Sequence, residues 1–269
     1  MENWDQSLAL ANQLIVVITR ISQASSYTLN TPHPSSLQRS ITYYFGFGYL
    51  MQGLAYHKKK QYSQSLLSIE KYADLDWILE TGPEAEKDKK QFLLYSIANT
   101  FTVKLLSGDL SPLQEYMRLL MENPKERLSG LITILEAAIE HNLDVHAELS
   151  ILFSSLLPFH QYDQFYQNSC LSAYNLASIY YLKKHRFNDA MDCILYVLDY
   201  SKQLQDDRHF IRGNALFEAF RPYASLKQLE RFAHIQITYV REEIESKEGL
   251  DLEIGVLHSS SNILPLSSL

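Results

Sequence analysis

The chain has 269 residues, 46% of them hydrophobic, and a formal charge of −7 at neutral pH. This is enough apolar material for a sizeable core in one extended or two compact domains, and the acidic balance excludes general attraction to nucleic acid or anionic membrane, which needs Lys and Arg against phosphates. Nine glycines and eight prolines are too few for the turns of a many-stranded sandwich or barrel, so the composition predicts helices joined by short connections.

Residues 5–24 carry Leu8, Ala11, Ile15, Ile18 and Ile21 at three- and four-residue steps, the stripe of an amphipathic helix. Arg20 interrupts its apolar run, which is too short to span a membrane. Pro32 and Pro34 stop the helix, and a second is expected from about Leu37. The segment "YLMQGLAYHKKKQYSQSLLSIEKYADL" then breaks at a basic elbow, and residues 180–200, "YYLKKHRFNDAMDCILYVLDY", break in the same way. Tyr49, Gly53, Tyr56, Tyr62 and Ser65 follow steps of four, three, six and three, and Tyr174, Ser178, Tyr181, Phe187 and Ala190 repeat them. The small residues suit a close helix crossing, and the aromatics fill the space around it, so each unit reads as a helix hairpin.

Weaker hairpins fill the remainder. Residues 92–124 read as two helices around Ser107-Gly108-Asp109, with Pro112 in the first turn of the second. Residues 130–158 read as a pair with a bend near Asn142, and residues 206–245 as a pair around Pro222. Roughly four to six hairpins are expected. Residues 80–90 are a solvated connection or helix start, and the tail from about Glu248 loses the helical period and becomes Ser-rich.

The spacing of the two sets resembles the tetratricopeptide (TPR) repeat. The resemblance implies an all-α, right-handed superhelix (α-solenoid) of TPR-like hairpins over residues 37–247, after an N-terminal helix and Pro/Ser loop (1–36) and before an irregular tail (248–269). With "YNLASIYYLKKHRFNDAMDCILYVLDYSKQL" and "FIRGNALFEAFRPYAS", the chain also resembles the sensor region of the RRNPP peptide-pheromone regulators of Gram-positive bacteria. Members of that group join a helix-turn-helix domain to the repeats. This chain begins almost directly with repeat-like helices, so either the DNA-reading domain lies outside it or the repeats stand alone.

The resemblance implies a concave groove lined by the first helix of each hairpin, taking a short signalling peptide and controlling a transcriptional regulator's output. Asn99, Asn175 and Asn214 are the candidate amides, since one amide can both donate to and accept from a peptide backbone. Lys183, Arg212 and Arg221 are candidates for a peptide carboxylate, with Glu218 beside them; a surface ion pair between Arg221 and Glu218 is the plainer alternative. Tyr174 reads as core packing, and Lys58, Lys59 and Lys60 as charges complementing a helix C-terminus.

No phosphate-binding loop or nucleophile elbow is present, and His141 and His146 are too far apart to share a helix face. Cys170 and Cys193 read as small buried thiols. The expectation is therefore a non-enzymatic, cofactor-free cytoplasmic protein, a homodimer that binds a short peptide or a partner protein segment and makes no direct contact with nucleic acid or membrane. A constitutive protein-binding scaffold is the alternative. A phosphatase of the peptide-sensing group would need an acidic residue and a Gln in a bundle of their own, for which residues 1–40 offer one clear helix.

Overall fold

The computed structural model describes residues 3–26 and 37–248, which form eleven α-helices and, among the described residues, no strand. In chain order these are α1 (Trp4–Ser26), α2 (Ile41–Lys58), α3 (Tyr62–Ala73), α4 (Pro83–Leu106), α5 (Leu113–Glu122), α6 (Arg127–His141), α7 (His146–Ser154), α8 (Gln164–Lys183), α9 (Phe187–Gln203), α10 (Asp207–Phe220) and α11 (Leu226–Glu248). The expected Pro32 and Pro34 stop and the Ser-rich tail lie outside the described residues. None of the described helices is long and apolar enough to cross a membrane.

One backbone device ends many of these helices. Lys60, Gly108, Asn142, His185 and Gln205 all have positive φ. In each case the amide of the next residue reaches back five positions: Gln61 to Tyr56 O, Asp109 to Lys104 O, Leu143 to Ala138 O, Arg186 to Tyr181 O and Asp206 to Ser201 O. This left-handed closure satisfies carbonyls that a helix end leaves orphaned, and it turns the chain sharply enough for the next helix to return. The basic elbows at Lys60 and His185 therefore have one geometry, 125 residues apart in the sequence.

The chain divides into two compact units, Met1–Tyr166 and Gln167–Leu269. In the first, α1 packs on α2, and α2 on α3. The crossings use small residues. A Cβ on Gly48 would stand 2.8 Å from Ile15 Cγ1, and one on Gly46 would overlap the Phe92 ring. At Gly53 the returning helix is tied by Ser65 Oγ, which donates to Gly53 O at 2.8 Å, so the small residue spacing in the sequence does mark a close approach. The core here is built from Ile18, Phe45, Ile69, Tyr72, Phe92 and Val103 with their neighbours.

The start of α2 is pinned by two carboxylates, one from the connection into α4 and one from α4 itself. Glu80 accepts from the amides of Ile41 (3.1 Å) and Thr42 (2.8 Å) and from the Thr42 hydroxyl (2.9 Å). Asp88, buried, accepts from Ser40 Oγ (2.6 Å) and from Arg39 (2.8 Å), while Ser40 Oγ accepts from the Tyr43 amide (2.8 Å). Negative charge at a helix N-terminus is favourable because the first amides have no partners within the helix. Residues 80–90 are thus the structural clasp of the first hairpin as well as the first turns of α4.

In the second unit the α8 and α9 rings of Tyr174 and Tyr196 stack at 3.6 Å, and Ser178 and Ala190 are buried. Tyr174 packs as expected from its register. Helices α10 and α11 run antiparallel, with Phe217 stacked on Phe232 (3.9 Å) and Phe210 on Tyr239 (4.3 Å). The α10 backbone approaches α9 closely at Gly213, where a Cβ would stand 2.9 Å from Leu198 Cδ2. Gln228 of α11, buried, donates to Asn188 O (3.0 Å) and Asp192 Oδ1 (2.8 Å) of α9.

Candidate functional site in the α2, α3 and α4 stack

Helices α2 and α4 run parallel, with α3 returning between them in sequence. The register is visible in the contacts: Gly46 lies against Phe92 near the helix starts, and Leu50, Gly53 and His57 share a cavity with Asn99, Thr102 and Val103 near the ends. The cavity measures about 180 Å³. Its buried walls include Gly53, Ser65, Ile69, Tyr72 and Val103, and its half-buried rim includes Leu50, Leu54, His57, Asn99 and Thr102.

The polar groups of this cavity are few. Asn99 Nδ2 donates to Tyr72 Oη at 2.8 Å. Burial pushes the Tyr72 phenol up to about 12, outweighing the opposing hydrogen bond from Asn99, so the hydroxyl stays protonated at neutral pH. The Thr102 hydroxyl lies 3.3 Å from Tyr116 Oη. Burial, with Lys58 adding repulsion, lowers His57 to about 4, which keeps its imidazole neutral at pH 7. Among the described residues no hydrogen-bond partner meets that ring.

Outside the cavity, apolar residues of α2 and α4 are left exposed. Phe47 is 37% exposed, Leu93 48%, Leu94 61% and Ile97 39%. Leu93, Leu94 and Ile97 lie on the side of α4 away from Phe92, Ser96 and Val103, which are its buried positions. Tyr43, which stacks on Phe47 with ring centroids 5.8 Å apart, also meets Phe92 at 6.1 Å, so the two helices join through an aromatic seam.

The residues singled out from the sequence are distributed as follows. Asn99 belongs to the first unit and turns to α3 through Tyr72. Asn175 and Asn214 belong to the second. Asn175 is buried, and its carbonyl accepts from Ser178 Oγ at 2.7 Å. Asn214 Oδ1 accepts from Gln236 Nε2 of α11 at 2.5 Å. Lys183 and Arg212 are exposed on α8 and α10. Glu218 and Arg221 form a two-pronged pair, each contact 2.7 Å, and the guanidinium also lies over the Phe232 ring at 5.3 Å. This pair holds Glu218 below the usual carboxylate range.

Of the basic elbow, Lys59 pairs with Asp5 of α1, and Lys60 with Glu140 of α6 at 2.5 Å. His141 and His146 are kept apart by belonging to different helices, and the His141 ring lies 2.9 Å from Leu106 O. Cys170 and Cys193 are free and buried; burial raises the Cys170 thiol to about 11 and the Cys193 thiol higher still. Among the described residues no cluster of His, Cys, Asp and Glu could hold a metal ion.

The sequence reading missed His57, Tyr72 and the open face. One signal was available for the face: α2 reads "ITYYFGFGYLMQGLAY", apolar nearly all round, where a helix at a domain surface needs a polar side. The Tyr72 to Asn99 bond spans 27 residues and two helices, and no local pattern marks it. Comparison with protein-family models, with curated proteins and with solved structures finds no match to this chain.

Proposed function

We propose that this chain is a non-enzymatic regulatory protein, a TPR-like right-handed superhelix of hairpins that binds a short, extended signalling peptide across its first helices, in the manner of a cytoplasmic quorum-sensing receptor controlling transcription. The observation that carries the reading is the exposed apolar side of α4, Leu93, Leu94 and Ile97, with Phe47 of α2 also exposed, outside the buried core. Exposed apolar residues gathered along one side of a helix mark a binding surface more often than chance, and an extended chain can follow such a side. Asn99 lies on the other, cavity-lining side of α4, with its Nδ2 engaged by Tyr72, so the proposed face relies on its apolar residues.

The test is isothermal titration of the full chain with a set of short synthetic peptides rich in apolar residues. Binding by a subset of them, weakened roughly tenfold or more by Leu93→Ser, is expected, because buried apolar anchors dominate such interfaces. Leu93 is half exposed, so the substitution spares the core. Affinity lost on Asn175→Ala and Asn214→Ala but unchanged by Leu93→Ser would move the site to the second unit. A protein-binding scaffold is the second reading, favoured by the outer side of α1, where Leu10 is 59% exposed and Val16 and Val17 nearly half. Recovery of one partner protein by the full chain, with no peptide bound, would select it.

A further inference from the structure

We infer that the cavity between α2, α3 and α4 is a binding pocket for one uncharged phenol-type ring, with Asn99 and His57 receiving the hydroxyl. The size argument comes first. A dry protein cavity of about 150 Å³ takes a benzene molecule, whereas drug and cofactor sites run from about 300 Å³ upward. At about 180 Å³ this cavity matches a single six-membered ring with one small substituent.

Charge narrows the class. No Lys, Arg, Asp or Glu lines the cavity, so a carboxylate, phosphate or ammonium would lose its water with no opposite charge to replace it. The apolar walls of Leu50, Leu54, Ile69 and Val103 accept a ring. The polar groups then set the substituent. Asn99 has committed one amide hydrogen to Tyr72 and keeps its carbonyl oxygen as an acceptor. The neutral His57 ring offers one donor nitrogen and one acceptor nitrogen, with no hydrogen-bond partner among the described residues. A hydroxyl donates and accepts at once, which is what these groups call for; a plain hydrocarbon would leave them unanswered.

Small residues keep the space open. Gly53 has no side chain to enter it, and Ser65 directs its hydroxyl to Gly53 O. The half-buried rim residues His57, Asn99 and Thr102 provide an entrance that does not require a helix to move.

The same chemistry could arrive as a free phenol or as a tyrosine side chain. Both are addressed by titrating the isotope-labelled full chain, followed by NMR of backbone amides, with p-cresol, toluene and N-acetyltyrosinamide. Saturable shifts at Gly53, Ser65 and Val103 with p-cresol are expected, with toluene binding roughly three- to tenfold more weakly for want of the hydrogen bond. Asn99→Ala should bring p-cresol towards the toluene affinity, and His57→Phe, which fills the rim, should abolish both. Equivalent binding of N-acetyltyrosinamide assigns the pocket to a tyrosine side chain; binding of p-cresol alone assigns it to a free phenol. No saturable shift at those amides in the folded protein, or equal affinities for toluene and p-cresol, overturns the inference. The comparison of ligands on the unaltered chain needs no variant to fold, and it stands or falls separately from peptide binding to the open face.

Discussion

The hairpins α2/α3 and α8/α9 share a register and a turn but solve the space between their helices differently. Lys60 and His185 take the same left-handed conformation, and Gln61 and Arg186 donate to Tyr56 O and Tyr181 O in the same way. In the first hairpin, however, the small residue is Gly53, the tie is a hydroxyl from the opposite helix, and a cavity remains alongside. In the second, Ser178 bonds within its own helix to Asn175 O, and Tyr174 lies flat on Tyr196. The repeated pattern therefore sets turn and crossing, while side-chain volume at the crossing decides whether the hairpin is a filled strut or a potential receptacle.

That comparison can be broken first at Tyr72, the fully buried ring closing the cavity floor. Tyr72→Ala should cost about 3–5 kcal/mol, the usual effect of removing a buried aromatic side chain, in urea denaturation. A smaller loss, about 1–3 kcal/mol, is expected from Glu80→Ala, which strips the α2 amides of their acceptor and leaves the clasp to Asp88. The crossing itself is tested by a matched pair. Ser65→Ala should cost about 1 kcal/mol because it cuts a tie between helices, whereas Ser178→Ala should be close to neutral because its bond lies within one helix. Equal costs would mean that the two crossings do not differ as described.

The turn can be sharpened in the same manner. Left-handed backbone penalises any side chain, so His185→Gly should raise stability by about 0.5–1 kcal/mol. Lys60→Gly should gain less, since it also gives up the exposed pair with Glu140. A separate test uses the pH dependence of His57. Its folded value lies below the unfolded one, so the unfolded chain takes up the proton first. Stability contributed by the neutral ring is present above about pH 6.5 and declines as pH falls towards about 4. In urea midpoints measured across that range, His57→Phe should flatten the slope.

Much of the helical order was legible in the sequence because it is local. Steps of three and four, the Ser107-Gly108-Asp109 stop and the bend at Asn142 are consequences of one chain segment acting on itself. Gly53 and Ser65 were legible because a close crossing admits few residue types. What could not be read is what depends on distant partners. Glu80 looks like one charge in a solvated connection until it is seen to bind the amides of Ile41 and Thr42. Asn99 carries no mark of Tyr72, and His57 looks like part of a basic elbow although burial removes its charge at pH 7. The end of the long helix α4 was legible at the Ser107-Gly108-Asp109 stop, while its start at Pro83 lies in what reads as a solvated connection or helix start; the exposed Leu93, Leu94 and Ile97 follow from which of its sides α2 and α3 cover.

The central functional claim is that α2 and α4 form the peptide-binding face. It is tested most directly by hydrogen–deuterium exchange of the full chain with and without a bound apolar peptide, since a ligand that binds only the folded state lowers local opening where it sits. Added protection concentrated in residues 41–58 and 83–106 is the predicted result. Protection confined to residues 187–248, or none in the presence of saturating peptide, would contradict it.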